Sequence, residues 1–354
     1  MKRVVFLMSL LVAVSSAMGA SLSKQESKAL TAFLNQQNAQ GGVNAEALMM
    51  TGSDPATAPG VKVESGHVTE IDWSGKHLSG DLNLSNFPAL RKVTVSDNSL
   101  TSLTLDNNPQ LVEVNASRNK LTAVNMENVG QLQVLRLNRN RLSEINLAAT
   151  PMLKKLNIAG NFMVALDISN AFNMESLNCM SNRLEQLDVT GCTQLKNLYA
   201  GYNEISALEL SALPSLENLN LTSNKLDKMY LQNLPHLQTV FVSDNHMMQF
   251  AANNCPQLVD IFAAYNDLTA FKVEDCPNLG FVNLSWNDLT FLDLSGQNYL
   301  QRVNVANNQL VTLDLSFCPI LTTINLANNE MLTDLRTVGD PQLRQVVGPW
   351  DSME

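Results

Sequence analysis

Few side chains in this sequence could carry catalysis, and their spacing does not bring them together. Histidine occurs at His67, His77, His236 and His246, and no pair has metal-ligand spacing. A protein zinc site needs three or four ligands in a defined arrangement, so neither a metal nor another cofactor is expected. No glycine-rich loop could cradle a phosphate, and no serine stands in a recognisable nucleophile turn. The Asp and Glu residues are scattered, as a solvated surface requires and a general acid/base pair does not. The expectation is a protein that is not an enzyme.

The five cysteines are more orderly. Cys192, Cys255, Cys276 and Cys318 are separated by multiples of 21 residues, and Cys179 falls outside that series. Val129, Ala171, Leu213 and Leu234 belong to the same series, so its ordinary occupant is a small buried apolar side chain. If consecutive members sit one strand apart, Cys255 and Cys276 are about 4.8 Å from each other, inside the Cα range that a disulfide accepts. Parallel neighbours often aim poorly at one another, which favours free buried thiols.

The same interval governs the rest of the chain. Rows of 21 residues begun at Leu90 place Leu111, Leu132, Leu153, Met174, Leu195, Leu216, Leu237, Leu258, Leu279, Leu300 and Leu321 in one column without insertion. A second column is asparagine throughout: Asn98, Asn119, Asn140, Asn161, Asn182, Asn203, Asn224, Asn245, Asn266, Asn287, Asn308 and Asn329. Fixed periods of this length signal a stacked repeat array. The first three apolar positions of a row (Leu132, Leu135 and Leu137 in one example) fit a short strand whose neighbours pair in parallel about 4.8 Å apart. Asparagine suits the strand's end because its amide both donates to and accepts from backbone groups that would otherwise be unpaired. That ladder reads as structural.

Each row contains its pattern twice, since Leu100, Leu103 and Leu105 repeat the spacing of Leu90, Val93 and Val95. About ten residues leave no room for a full helix, so the backing half is expected to be extended and the array weakly curved. Stacked rows leave an apolar face at each end that caps must cover. Residues 21–66 are expected to form the first cap, with a helix from Lys24 to Gln37 opened by the capping box Ser23 to Glu26. An irregular first row follows, with one extra residue around Gly80. The repeats run over residues 67–331. Leu332, Leu335, Leu343 and Val346 break the period, so residues 332–354, ending with Pro349 and Trp350, are expected to form the second cap.

Residues 1–20 read as a secretory signal: Lys2 and Arg3 precede the apolar run Val4 to Val14, which is too short to span a bilayer. No later segment is a transmembrane candidate. The formal net charge of −10 becomes −12 once Lys2 and Arg3 are removed. Such an acidic chain repels nucleic acid and anionic membranes. Sequons occur at Asn83, Asn115, Asn220 and Asn283, and the last three would put glycans on the front of the sheet in a eukaryotic cell, which favours a bacterial source.

With these rows in place, the chain resembles the bacterial leucine-rich repeat proteins, internalin-like in the broad sense. The similarity is greatest to the short-repeat class with nested LxxLxLxxN and LxxLDL halves. Leu166-Asp167-Ile168-Ser169, Leu187-Asp188-Val189-Thr190, Leu292-Asp293-Leu294-Ser295 and Leu313-Asp314-Leu315-Ser316 carry the second half, and residues 66–80 look like a cap-to-repeat junction. The resemblance implies a leucine-rich repeat solenoid with a parallel β-sheet front. It also implies protein or glycan binding at a bacterial envelope or outside the cell, the chain being secreted, periplasmic or on the surface.

Specificity in such an array belongs to the outward columns of the front strands. One column reads mostly asparagine but holds Tyr199, Phe241 and Phe262, and neighbouring outward columns add Tyr202, Tyr265, Phe281 and Trp286. Rings contribute apolar contact area with little entropy to lose, which suits an interface. These seven are the candidate ligand-binding residues of a monomer that engages a protein, with carbohydrate binding or a passive envelope scaffold as alternatives. In the carbohydrate reading the asparagine ladder would supply hydrogen bonds beside the rings. A plainer alternative is that Phe241 and Phe262 only cover one another. Arg91, Lys92, Arg118, Arg136, Arg139, Lys154 and Lys155 form an upstream basic area, either solvated side chains or a site for an acidic partner.

Overall fold

A computed structural model of the chain describes residues 21–348, so the expected signal segment and Pro349–Glu354 lie outside the described residues. Three apolar side chains per row point inward, and fourteen front strands, from His67–Asp72 to Gln345–Val347, pair in parallel as the front of a β-solenoid. Partners are 21 residues apart over most of its length, as in Val114 with Leu135 and Val240 with Ile261. The leucine columns fill one continuous interior, and Leu90, Leu111, Leu132 and Leu135 have no exposed surface.

The asparagine column explains how tightly each row is tied to the next. Asn119 Nδ2 donates to the carbonyls of Val95 (2.9 Å) and Ala116 (3.2 Å), and its Oδ1 accepts from the amide of Leu100 (2.9 Å). Asn203 and Asn287 repeat the arrangement on Leu184 and Leu268. One buried side chain therefore satisfies groups in two rows, which a buried turn requires.

The back of the solenoid is not one sheet. Strands back the first rows (Ser79–Asn83, Ser99–Thr104, Ala123–Asn125) and the later rows (Lys228–Gln232, Gln249–Asn253, Ala270–Glu274; then Phe291–Asp293, Thr312–Asp314, Asp334–Arg336). The rows between them have none. Where strands occur, the turn residue is left-handed, as at Asn86, Asn107, Asn128, Asn233 and Asn254, and hydrogen-bonds across rows, as Asn107 N–H does to Glu127 (2.7 Å). In the rows between, Ala149, Asn170, Gly191 and Ala212 occupy that position and none is left-handed, although asparagine and glycine accept the conformation. In their rows the turn closes on itself instead, with Thr150 N–H donating to Leu147 and Leu213 N–H to Leu210.

The cysteine column lies at this back turn. Cys318 Sγ lies 3.3 Å from the carbonyl of Leu294, and Asn108, in the same column, donates from Nδ2 to the equivalent carbonyl of Leu84. The thiol is thus a weak donor replacing an amide. All five cysteines are buried and free. Burial pushes the Cys179 thiol up to about 12 and those of Cys192 and Cys318 up to about 11.

At the N-terminal end, helix α1 (Lys24–Leu34) is shorter than its pattern suggested. Ser23 Oγ accepts from Glu26 N–H (3.3 Å), but the reciprocal arm of the capping box is not made. The buried Glu26 carboxylate instead accepts from Val68 N–H and faces His67 Nδ1, both at 3.2 Å. Gln36, released from the helix, pairs with the backbone of Asp81 through both ends of its amide. There the register slips between Gly80 and Asp81, but the unpaired residue is Thr101 on the neighbouring strand and not one beside Gly80, and a Cβ on Gly80 would strike Gln36. Strand Val61–Glu64, which has no counterpart in the sequence expectations, closes the front sheet antiparallel to His67–Asp72. At the far end, Asp334–Arg336 and Gln345–Val347 extend both sheets at 22-residue spacing, within the segment expected as a cap. Leu335 and Val346 are exposed there.

Candidate functional site

Three outward columns form the front face. Two alternate with the inward leucines on the strands; the third lies in the turn just before the ladder asparagine. In the late rows the strand columns carry a run of rings. Phe241 and Phe262 stack with centroids 4.6 Å apart and planes 10° apart, and Phe262 meets Phe281 edge-on at 5.2 Å. Arg302, one row further, lays its guanidinium over Phe281 at 4.8 Å. All three rings are half-buried, so the expectation that they form a surface and the plainer one that Phe241 covers Phe262 describe the same arrangement.

The turn column holds a second aromatic pair. Tyr265 and Trp286 stack at 5.5 Å and 11°, and they are 57% and 50% exposed. Their backbones are left-handed, with φ of 54° and 57°, and so are those of Asn307 and Asn328 in the same column. The turn requires it, because the backbone amide donates to the next row, Tyr265 to Ser285, Trp286 to Ala306 and Asn307 to Ala327. Asparagine takes this conformation easily, and a bulky side chain pays of order 1 kcal/mol for it. Tyr202 (φ 56°) is held the same way, as are Arg118 and Arg139 in the early rows.

The structure thus gathers five of the seven expected residues into two adjacent clusters. Tyr199 and Tyr202 share the face but stand rows away: Asn220 separates Tyr199 from Phe241, and two rows separate Tyr202 from Tyr265. Phe250 and Phe271 stack with each other on the back sheet, not on this face. Asp260 and Arg302 belong to the site and were missed; both are in the column of Phe281, one row to either side. The readable signal was their 21-residue offset from Phe281. Burial holds the Asp260 carboxyl above the usual range, against the pull of Arg302.

The asparagine ladder cannot take the second role given to it. Beside the rings, Asn266 donates to Val242 and Ala263 and accepts from Met247, so its amide is engaged inside the protein. The basic area upstream is largely neutralised. Arg91 pairs with Glu64, Lys92 and Arg136 share Glu113, Arg118 faces Asp97, and Lys154 faces Glu175. Arg139 and Lys155 alone in that group have no ion-pair partner among the described residues. The Glu113 carboxyl is held below its usual range, first by its hydrogen bond with Arg136. Among the described residues no group of three or more His, Cys, Asp or Glu could hold a metal ion, and no helix is long and apolar enough to cross a membrane.

Comparison with solved structures gives the same architecture elsewhere. The leucine-rich effector protein YopM from Yersinia pestis superposes with a TM-score of 0.64 at 26% identity, over 78% of this chain and 76% of that one. The fold is a leucine-rich repeat solenoid. A leucine-rich repeat protein of Leptospira interrogans (TM-score 0.51, 18% identity, 73% of this chain and 78% of that one) shares the fold. So does the plant peptide hormone receptor RGFR1, solved in complex with RGF2 (TM-score 0.53, 19% identity, 76% and 51%). No protein-family model matches the chain, and no curated protein matches it. None of these comparisons indicates an enzymatic family.

Proposed function

We propose that this chain is an exported interaction module that binds a protein partner through the aromatic part of its front sheet. It would act in the periplasm, on the cell surface or outside the cell, as a monomer without a cofactor. The observation that carries the reading is the adjacency of two ring clusters on one face, Phe241–Phe262–Phe281 and Tyr265–Trp286, with the second pair half exposed. Contiguous exposed apolar area of this kind marks interaction sites in soluble proteins, and aromatic anchors dominate binding energy where it has been dissected. The backbone strengthens the argument, since the turn favours asparagine over a large ring at each of the two positions.

A binding screen of the chain against extracellular proteins and against glycans tests this, repeated with the double variant Tyr265→Asn/Trp286→Asn. That variant installs the residue found at Asn307 and Asn328, so the solenoid should remain folded by circular dichroism. Capture of a protein by the parent and not by the variant supports the reading. Retention of the partner by the variant moves the site elsewhere. Capture of glycans alone replaces the protein reading with the carbohydrate one, and no binding of any kind favours a passive scaffold.

A further inference from the structure

The groove beside Tyr265 and Trp286 is lined by Asn245, Asn266, Asn287, Asn307, Asp267 and Asp288. Three of those asparagines are ladder residues whose amides serve the backbone, which leaves ring faces and carboxylates as its main chemistry. In the ring column itself, Asp244 occupies the row before Tyr265 and is exposed. Its Oδ2 accepts from Ser223 Oγ, a hydrogen bond that leaves its charge in place. Parallel stacking of Tyr265 on Trp286 turns the outer face of Tyr265 along the solenoid axis toward the row of Asp244.

Cations near this groove are few. His246 Nδ1 lies 3.8 Å from Asp267, Lys225 is committed to Glu204 at 2.8 Å, and Arg302 lies over Phe281. Asp288 accepts only a neutral amide, that of Gln309 (2.7 Å). The surface therefore combines aromatic faces with the carboxylates of Asp244 and Asp288, which have no ion-pair partner among the described residues, and of Asp267, which faces only His246. The protein already shows what such a ring face accepts: Arg302 stacks on Phe281, and Arg183 stacks on Phe162 at 5.3 Å.

We infer that the Tyr265–Trp286 groove receives a basic polypeptide segment, an arginine or lysine side chain lying on the ring face with Asp244, Asp267 and Asp288 as its counter-charges. Charge complementarity selects this occupant. A guanidinium or ammonium over an aromatic face gains from the ring quadrupole and from a nearby carboxylate together, whereas an acidic segment would be repelled by Asp244, Asp267 and Asp288. The inference rests on the proposed function and specifies its partner.

The probe is a fluorescein-labelled octa-arginine peptide, with a Gly-Ser octamer as control, titrated into the full chain and followed by fluorescence anisotropy. Both Tyr265→Asn/Trp286→Asn and Asp244→Asn/Asp267→Asn/Asp288→Asn should weaken octa-arginine binding by about tenfold or more. A back-face variant of equal charge change, Glu209→Gln/Glu274→Gln/Asp293→Asn, should weaken it less than about threefold, and binding should fall as salt rises. Equal losses from the front and back charge variants would reduce the effect to net charge and overturn the inference. So would concentration-dependent self-association lost in the front charge variant, since the occupant would then be a second copy. A partner captured in the functional screen that needs Tyr265 and Trp286 but ignores the three aspartates and the salt would overturn this inference while leaving the proposed function intact.

Discussion

Glu113 and Asp260 stand in the same outward column of the same sheet, seven rows apart, and their carboxyl groups are shifted in opposite directions. Glu113 lies between Lys92 and Arg136 and is held below its usual range by them; Asp260 lies among phenylalanine rings and is raised by burial. The early rows answer most of their basic side chains with a carboxylate in a neighbouring row. The late rows replace that pairing with rings stacked from row to row and leave Asp244, Asp267 and Asp288 on the surface. The difference teaches that one scaffold supports two surfaces because every outward column is copied to a neighbour about 4.8 Å away. Like residues in a column stack, and unlike charges pair. What a region does is decided by which of these its columns choose.

The comparison assumes that the scaffold beneath both regions is the same, and the largest expected effect tests that assumption. Asn119→Ala in the charged rows and Asn266→Ala in the aromatic rows each strand one amide and two or more carbonyls. At about 1–3 kcal/mol for each buried group left unpaired, both should lose on the order of 3 kcal/mol or more in urea unfolding. A marked difference between the two variants would mean that the regions differ in their framework as well as their surface.

The next effect separates the surfaces. For a protein partner recovered in the screen, Tyr265→Asn/Trp286→Asn should weaken binding by about a hundredfold, some 2.7 kcal/mol. Arg118→Asn/Arg139→Asn changes the same turn column in the early rows, where the conformation is also left-handed, and should leave affinity within about twofold, below ~0.5 kcal/mol. Calorimetric titration measures both. If the arginine variant lost as much, the site would extend over the whole face and the contrast between the regions would fall.

A smaller effect runs the other way. Tyr202 has the left-handed backbone but, among the described residues, makes no ring contact of the kind that joins Tyr265 to Trp286. Tyr202→Asn should therefore stabilise the chain by about 1 kcal/mol, seen as a raised urea midpoint at unchanged slope. In the double variant at 265 and 286 the relief is partly offset by the lost stack, worth roughly 0.5–1.5 kcal/mol. A destabilised Tyr202→Asn would mean that the ring serves the fold, and the strain argument for the aromatic rows would go with it.

Much of this was written in the sequence. The 21-residue columns of leucine and asparagine specify inward faces, parallel register and the ladder, because each column must repeat one environment. The interrupted back was less legible. The rows without back strands carry Ala149, Asn170, Gly191 and Ala212 at the turn, and residue type there does not set them apart from rows that carry Asn107, Asn233 or Gly296 in the left-handed conformation. Ion pairs such as Arg136 with Glu113 were hidden for another reason: they join adjacent columns of adjacent rows, 23 residues apart, an offset that a column-by-column reading does not sample. The helix expected to Gln37 ends at Leu34, and Gln36 instead pairs with the backbone of Asp81 at the register shift, a partner 45 residues away that local helix pattern does not show.

The smallest effect reads the opposite shifts of Glu113 and Asp260 directly. Glu113 has a depressed folded value, so its contribution to stability is complete above the unfolded pKa and is lost as pH falls through the folded one. Asp260 has a raised folded value: the folded chain holds that proton more tightly, and stability declines as pH rises through the window between its unfolded and folded pKa. Acidification should therefore weaken the early rows and relieve the late ones. Glu113→Gln should remove part of the acid loss, and Asp260→Asn should raise stability near neutrality while abolishing the relief. Both sites are partly exposed, so each change should stay below about 1 kcal/mol. Carboxyl carbon titration by NMR follows the two groups separately and reads the sign even where the energy is small. Shifts in the same direction would mean that Lys92 and Arg136 do not govern Glu113, or that the rings do not desolvate Asp260, and the two surfaces would differ in shape alone.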